Sequence, residues 1–124
     1  MTKPLALIFY EQLLPGSQLV NRLQDLGYRV LTVTDMAQLI EQAEQAKPLV
    51  VITDLASSKQ DLCGAIGRLR QNGATRHLPV LAFAPHRNAR LQAAARTAGA
   101  TLVASDTAIL AQLPQLLDQV LQLD

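Results

Sequence analysis

Residues 48–54 read Pro-Leu-Val-Val-Ile-Thr-Asp and carry the clearest structural signal in the chain. Three of the four residues from Leu49 to Ile52 are β-branched, a composition typical of a strand. The run follows a proline, which ends the helical pattern before it, and it closes on a carboxylate, Asp54. Because a strand covered on both faces is apolar throughout, the segment predicts a central strand of a parallel sheet.

In the rest of the chain, predicted strands alternate with predicted helices. Four further runs predict strands at residues 5–10, 28–33, 79–83 and 101–104. Between them, apolar residues recur three and four apart, the spacing of a helix with one buried face. Five strands alternating with five helices predict an α/β fold, a (βα)5 doubly wound parallel five-stranded sheet. All 124 residues are assigned to this single domain.

Polar residues and one proline mark helix ends. Asp35 stands at an N-cap position before the second helix, and Ser105, Asp106 and Thr107 are candidate caps for the last one. Pro114 falls inside that last helix. It predicts either a kink or the start of a second helical segment.

Composition argues against several classes of function. The chain has 11 Lys and Arg against 10 Asp and Glu, so no broad field attracts nucleic acid or anionic lipid. No run reaches the roughly 18 apolar residues that span a bilayer, and no signal-peptide cleavage site follows the N-terminus. The single cysteine, Cys63, lies in a helical pattern, which favours a structural residue over a reactive thiol. The sequence predicts a cytoplasmic protein without nucleic-acid or membrane partners.

Ligands of open parallel sheets bind beyond the carboxyl ends of the strands. Two carboxylates, Glu11 and Asp54, follow or end predicted strands there, and oxygen ligands of this kind suit Mg²⁺. The alternative is that Glu11 is a solvated loop residue and that Asp54 caps a turn. His77 and His86 flank the fourth strand without a partner at metal-ligand spacing, so a surface role is predicted for both.

Signatures of several enzyme classes are missing. The chain contains no G-x-G-x-x-G, no G-x-x-x-x-G-K-[ST] and no G-x-S-x-G, the motifs of dinucleotide cradles, phosphate loops and hydrolase nucleophiles. A flavodoxin-like domain that binds a small molecule at the strand ends stays open as an alternative. The sequence favours a binding module over an enzyme.

Four segments resemble the receiver domains of two-component response regulators, and the likeness extends over essentially the whole chain. They are residues 26–28 (Leu-Gly-Tyr), 48–54, 61–79 and 98–100 (Ala-Gly-Ala). The second is similar to the family's proline, apolar strand and phosphoacceptor aspartate. The resemblance implies a CheY-like, flavodoxin-like fold with Asp54 in the acceptor position. It also implies a protein partner, which is a histidine kinase, a phosphotransfer protein or an output domain.

Only some of the family's active-site residues are present at the matching positions of this chain. Its acidic pair falls on Tyr10 and Glu11, so one acid is replaced and the other is a longer carboxylate. Its switch threonine or serine falls on Ala84, which has no hydroxyl. Its lysine at the end of the fifth strand is absent, because the last lysine is Lys59, and Ser105 or a neighbour stands in that place.

Two hypotheses follow from the resemblance and its gaps. One is an atypical receiver, or pseudo-receiver, that signals by protein–protein contact while phosphorylation is weak, absent or replaced by another input. The other is a phosphorelay receiver in which Asp54 accepts a phosphoryl group and Glu11 still holds Mg²⁺. Receivers commonly pair through helix four, strand five and helix five, so Ile109, Leu110 and Leu113 either form a homodimer surface or pack on the sheet.

Overall fold

The computed structural model describes residues 3–10, 13–56, 61–85 and 88–122. Its strands are β1 (Leu5–Phe9), β2 (Arg29–Val33), β3 (Val50–Asp54), β4 (Val80–Ala84) and β5 (Leu102–Ser105). They form one sheet in the order β2-β1-β3-β4-β5, and every neighbouring pair is parallel. The predicted doubly wound α/β fold is confirmed, although β2, β4 and β5 begin one residue later, and β3 two residues later, than the segments predicted from sequence.

Six helices lie in the described ranges, one more than predicted. They are α1 (Leu13–Asp25), α2 (Met36–Ala46), α3 (Leu62–Gln71), α4 (Ala89–Ala98), α5 (Asp106–Ala111) and α6 (Leu113–Gln122). The last predicted helix is broken at Gln112, and Pro114 lies in the first turn of α6. Backbone N–H groups in a first turn have no intrahelical acceptor, so a proline fits there. The second of the two interpretations of Pro114 is confirmed.

The helices cover the sheet on both faces. Helices α2, α3 and α4 contribute to one buried apolar cluster, and α1, α5 and α6 contribute to the other. Alternate residues of each strand point to opposite faces, so the central strands β3 and β4 are buried at every position. The central position predicted for residues 48–54 is confirmed, and it places Asp54 in the middle of the sheet's carboxyl edge.

The last two helices pack inward through the residues that were considered for a dimer surface. Ile109 and Leu113 are fully buried in the cluster beneath α1, α5 and α6, and Leu110 is partly buried against it. Packing on the sheet is therefore the correct interpretation. The dimer-surface alternative is wrong for Ile109 and Leu113.

Two further local predictions agree with the structure. Asp35 caps α2, with its carboxylate accepting a hydrogen bond from Ala37 N at 2.7 Å. Cys63 is partly buried; burial raises the pKa of its thiol, and the charge of Asp61 raises it further. A raised pKa lowers the thiolate fraction at neutral pH, which agrees with a structural cysteine. Among the described helices, none has the length and apolarity needed to cross a bilayer.

Candidate functional site at the carboxyl edge of the sheet

Asp54 ends β3 between two neighbouring strands. It pairs with Phe83 of β4, and the next amide, Leu55 N, donates to Phe83 O at 2.9 Å. On the other side Phe9 of β1 pairs with Thr53, so Tyr10 is the residue beside Asp54. The Asp54 side chain is only 7% exposed. The acceptor position predicted from sequence therefore lies at the strand-end crevice where ligands of this fold bind.

The carboxylate of Asp54 is engaged by its own loop. Its Oδ1 accepts a hydrogen bond from Ala56 N at 2.9 Å, an Asx turn. The turn-capping role considered for Asp54 is therefore present. It fixes the orientation of the carboxylate and occupies part of its capacity to accept hydrogen bonds.

Tyr10 stands where the resemblance places one of the two acids. Its half-buried ring packs on Gly16 in α1, where an added Cβ would lie 2.2 Å from Tyr10 Cδ2. Glycine at position 16 is thus required by the ring. A phenol is a weaker ligand for a hard cation than a carboxylate. Where the resemblance places a carboxylate, the chain therefore offers a phenol whose ring packs on α1.

Ala84 and Ser105 end β4 and β5 and pair with each other. Ala84 is fully buried, and its methyl group offers no hydrogen bond. Adjacent strands lie about 4.8 Å apart; with β4 between β3 and β5, the backbones of Asp54 and Ser105 are roughly 10 Å apart. A serine side chain does not span that distance, whereas a lysine side chain would cover much of it.

The hydroxyl of Ser105 is also committed elsewhere. Ser105 Oγ accepts a hydrogen bond from Ala108 N at 3.0 Å and lies 3.2 Å from Thr107 Oγ1. Of the three candidate caps, Ser105 is the N-cap of α5. The residue that the resemblance places in the lysine position therefore caps a helix.

We expect Ser105→Ala to lower the free energy of unfolding by about 1 kcal/mol, because it removes this cap. Urea denaturation would measure the change. Thr97→Ala is the matched control, since Thr97 is exposed on α4, away from Ser105, and its loss is expected to change stability by less than about 0.5 kcal/mol. Equal effects from the two variants would contradict the capping role.

The described residues supply only part of a magnesium site. Asp54 offers a carboxylate, but Glu11 lies outside the described residues, so its convergence with Asp54 stays a prediction. Across the described ranges no group of three His, Cys, Asp or Glu is placed to hold a metal ion. Mg²⁺ often uses only one or two carboxylates with waters. An ion bound here would therefore rely on Glu11 for a second carboxylate.

The two histidines were predicted to lie at the surface. His77 is exposed near the amino edge of β4, which confirms that prediction. His86 lies outside the described residues.

Arg70 is the main residue whose role sequence analysis missed. Its Nε donates to Gly99 O at 2.7 Å, its Nη1 donates to Arg76 O and Leu78 O at 2.7 Å each, and its Nη2 donates to Thr101 Oγ1 at 2.8 Å. Burial lowers its pKa. These contacts tie α3 to the amino ends of β4 and β5, opposite Asp54, so the role is structural.

Gly99 allows Arg70 to approach this closely. Its φ is +117°, a conformation that favours glycine, and an added Cβ would lie 2.6 Å from Arg70 Cγ. The sequence signal for Arg70 was only a cation in the last turn of a helix. Such a signal does not reveal partners about thirty residues away in sequence.

The sequence and the fold were compared with those of known proteins. No family model matches the sequence, and no curated protein matches it. The receiver domain of a sensor histidine kinase from Pseudomonas aeruginosa, with magnesium coordinated in its active-site cleft, is 20% identical, with a TM-score of 0.87 over 98% of this chain and 99% of that one. A protein from Chloroflexus aurantiacus predicted to be a response regulator is 21% identical, with a TM-score of 0.89 and coverage of 98% and 99%.

A third structure, a chemotaxis response regulator of the CheY type from Vibrio cholerae, is 19% identical, with a TM-score of 0.77 over 93% of this chain and 99% of that one. At these identities the likeness establishes the architecture and its extent. The chain has the CheY-like fold of response-regulator receiver domains.

Proposed function

We propose that the chain is an atypical receiver module that acts in two-component signal transduction through protein–protein contact, with phosphorylation of Asp54 weak or absent. One observation carries the proposal. Over its described residues the chain has a receiver fold, and a buried methyl group, Ala84, and a helix cap, Ser105, stand where the resemblance puts the switch hydroxyl and the lysine.

The chemistry of phosphoryl transfer supports slow phosphorylation. Catalysis depends on preorganised donors that stabilise charge on the phosphoryl oxygens. Removing one such donor from a comparable site slows the reaction by on the order of 10² to 10³. Ala84 supplies no donor, and the Ser105 hydroxyl is held at α5 by Ala108 N and Thr107. With both donors missing, Asp54 is a slow acceptor.

Positions 84 and 105 also affect whether phosphorylation of Asp54 could change the conformation of the domain. A bound group shifts a conformational equilibrium only by the difference in its contacts with the two states. A phosphoryl group on Asp54 gains no hydrogen bond from the methyl of Ala84. The contacts that would couple Asp54 to α4 and β5 are therefore missing at both positions.

The proposed signalling role also implies a class of protein partner and a cellular location. The module binds a histidine kinase, a phosphotransfer protein or an output domain in the cytoplasm. It acts by binding and not as an enzyme.

A second candidate function is a working phosphorelay receiver. Asp54 keeps its place at the centre of the carboxyl edge, and the Pseudomonas relative carries magnesium in its cleft. In this version Glu11 and Asp54 would hold Mg²⁺, which would supply positive charge to the phosphoryl oxygens. Unchanged signalling in cells that carry Asp54→Asn would argue against it.

A titration with beryllofluoride and Mg²⁺ tests the leading proposal. In ¹⁵N-edited NMR spectra we expect the amides of α4 and β5 to keep their positions, because no hydroxyl or lysine relays a change at Asp54. Asp54→Asn is the matched control and removes any shift that arises at the acceptor. Saturable shifts that extend into α4 and vanish in Asp54→Asn would refute the proposal.

A further inference from the structure

A groove of about 610 Å³ lies at the amino edge of the sheet, opposite Asp54. Its lining includes Lys3, Arg29 and Lys47, together with His77. Among the described residues that line it, none is an aspartate or a glutamate. The whole chain carries a net charge of only +1, so this amino-edge groove is a local concentration of positive charge.

Lys3, Arg29 and Lys47 are all exposed, so their charges reach solvent. Arg29 Nε donates a hydrogen bond to Lys3 O at 3.2 Å, so one of the guanidinium donors is already used. A carboxylate, that of Glu44, lines the adjoining depression together with Lys47, but it accepts a hydrogen bond from Asn72 Nδ2. Glu44 therefore offsets the field of Lys47 in part, and among the described residues that line the groove no carboxylate accompanies Lys3 or Arg29.

Apolar side chains lie among these cations. Leu49 is 43% exposed, one of two large hydrophobic residues with this much exposure in the described chain. Leu121 of α6 is half-buried and lines the same groove. Covering exposed apolar surface is favourable. The groove therefore offers a hydrophobic contact between positive charges.

The end of α2 places Lys47 at the groove. Lys47 is the C-cap of this helix, with φ 50° and ψ 60°, and among the described non-glycine residues it alone has a positive φ. A left-handed residue commonly ends a helix, so this conformation accounts for the position of the lysine.

We propose that the amino-edge groove docks an acidic, extended peptide segment of a partner protein. One apolar side chain of the peptide packs on Leu49 and Leu121, and flanking carboxylates meet Lys3, Arg29 and Lys47. Duplex nucleic acid fits less well, because its binding rests on many phosphate contacts and the described lining of this groove has only three Lys and Arg residues. The site is remote from the acceptor, so it adds a binding surface that does not depend on Asp54.

The first test is an NMR titration of the ¹⁵N-labelled chain with a short synthetic peptide in which a central leucine is flanked by glutamates. We expect saturable shifts at the amides of Lys3, Arg29, Lys47 and Leu49. A peptide with serine in place of the leucine is expected to bind roughly tenfold more weakly, because it loses the apolar contact.

Two double variants separate the groove from overall charge. Arg29→Glu with Lys47→Glu is expected to weaken binding by roughly tenfold or more. Arg90→Glu with Arg96→Glu makes the same change in net charge on exposed positions of α4. It is expected to leave the affinity within about twofold.

A third variant, Leu49→Ser, keeps every charge and is expected to weaken the leucine peptide while sparing the serine peptide. The proposal is overturned if the peptide shifts no groove amide, or if the two double variants weaken binding equally. It is also overturned if a DNA duplex or phosphatidylserine vesicles shift the same amides more strongly than the peptide does. Far-UV circular dichroism of each variant shows that the fold is retained.

Discussion

Arg70→Met is expected to lower the free energy of unfolding by about 3 kcal/mol. The guanidinium donates four hydrogen bonds, to three carbonyl oxygens and to the Thr101 hydroxyl. Bonds from charged donors contribute about 1.5 to 3 kcal/mol each, but partial exposure and shared geometry keep their sum well below four separate contributions. Methionine fills similar volume and leaves these acceptors without the cation.

Urea denaturation measures this loss. Arg68→Met is the matched control, because Arg68 is exposed on the same helix, and its change is expected to stay within about 0.5 kcal/mol. Arg70→Lys is expected to fall between the two, since an ammonium cannot reproduce the planar fork of donors. A loss from Arg70→Met as small as that from Arg68→Met would show that the contacts do not stabilise the fold.

Ala84→Thr combined with Ser105→Lys is expected to raise the rate at which acetyl phosphate modifies Asp54 by roughly 10² to 10³. The threonine supplies a hydroxyl at the end of β4. The lysine supplies a long cationic side chain two strands from Asp54. Both place donors where charge develops on the phosphoryl oxygens.

Intact-mass spectrometry over time measures that rate. Adding Asp54→Asn to the double variant is expected to abolish the modification, which assigns it to the acceptor. Because Ser105→Lys also removes the cap of α5, the fold of the variant is checked by circular dichroism. A folded double variant with the wild-type rate would show that these two positions do not limit the reaction.

The fold could be predicted from sequence because its central strands are buried on both faces. Residues 48–54 are a continuous apolar run for this reason, and β3 occupies the centre of the sheet. The break between α5 and α6 was left undecided. A proline is compatible with both a kink and a first helical turn, and the structure shows the second, with α5 ending before Gln112 and Pro114 in the first turn of α6.

The candidate site could be predicted less completely. The strand alternation placed Asp54, Ala84 and Ser105 at the correct edge, since parallel strands bring their carboxyl ends together. The packing of Tyr10 on Gly16 was not predicted, because the direction of a ring at a strand end depends on its neighbours in space.

The long-range hydrogen bonds of Arg70 were not predicted for a related reason. Its partners Gly99 and Thr101 are distant in sequence and leave no spacing to detect. Periodicity and spacing report local structure, whereas these contacts are tertiary.

The most direct test of the atypical receiver is the wild-type chain itself, incubated with acetyl phosphate and Mg²⁺ and followed by intact-mass spectrometry beside the Asp54→Asn variant. Since Ala84 and Ser105 stand where the resemblance puts two phosphoryl-oxygen donors, we predict that the wild-type chain stays essentially unmodified while the double variant Ala84→Thr with Ser105→Lys gains a phosphoryl group. Rapid, stoichiometric modification of the wild-type chain that disappears in Asp54→Asn would contradict the proposed function.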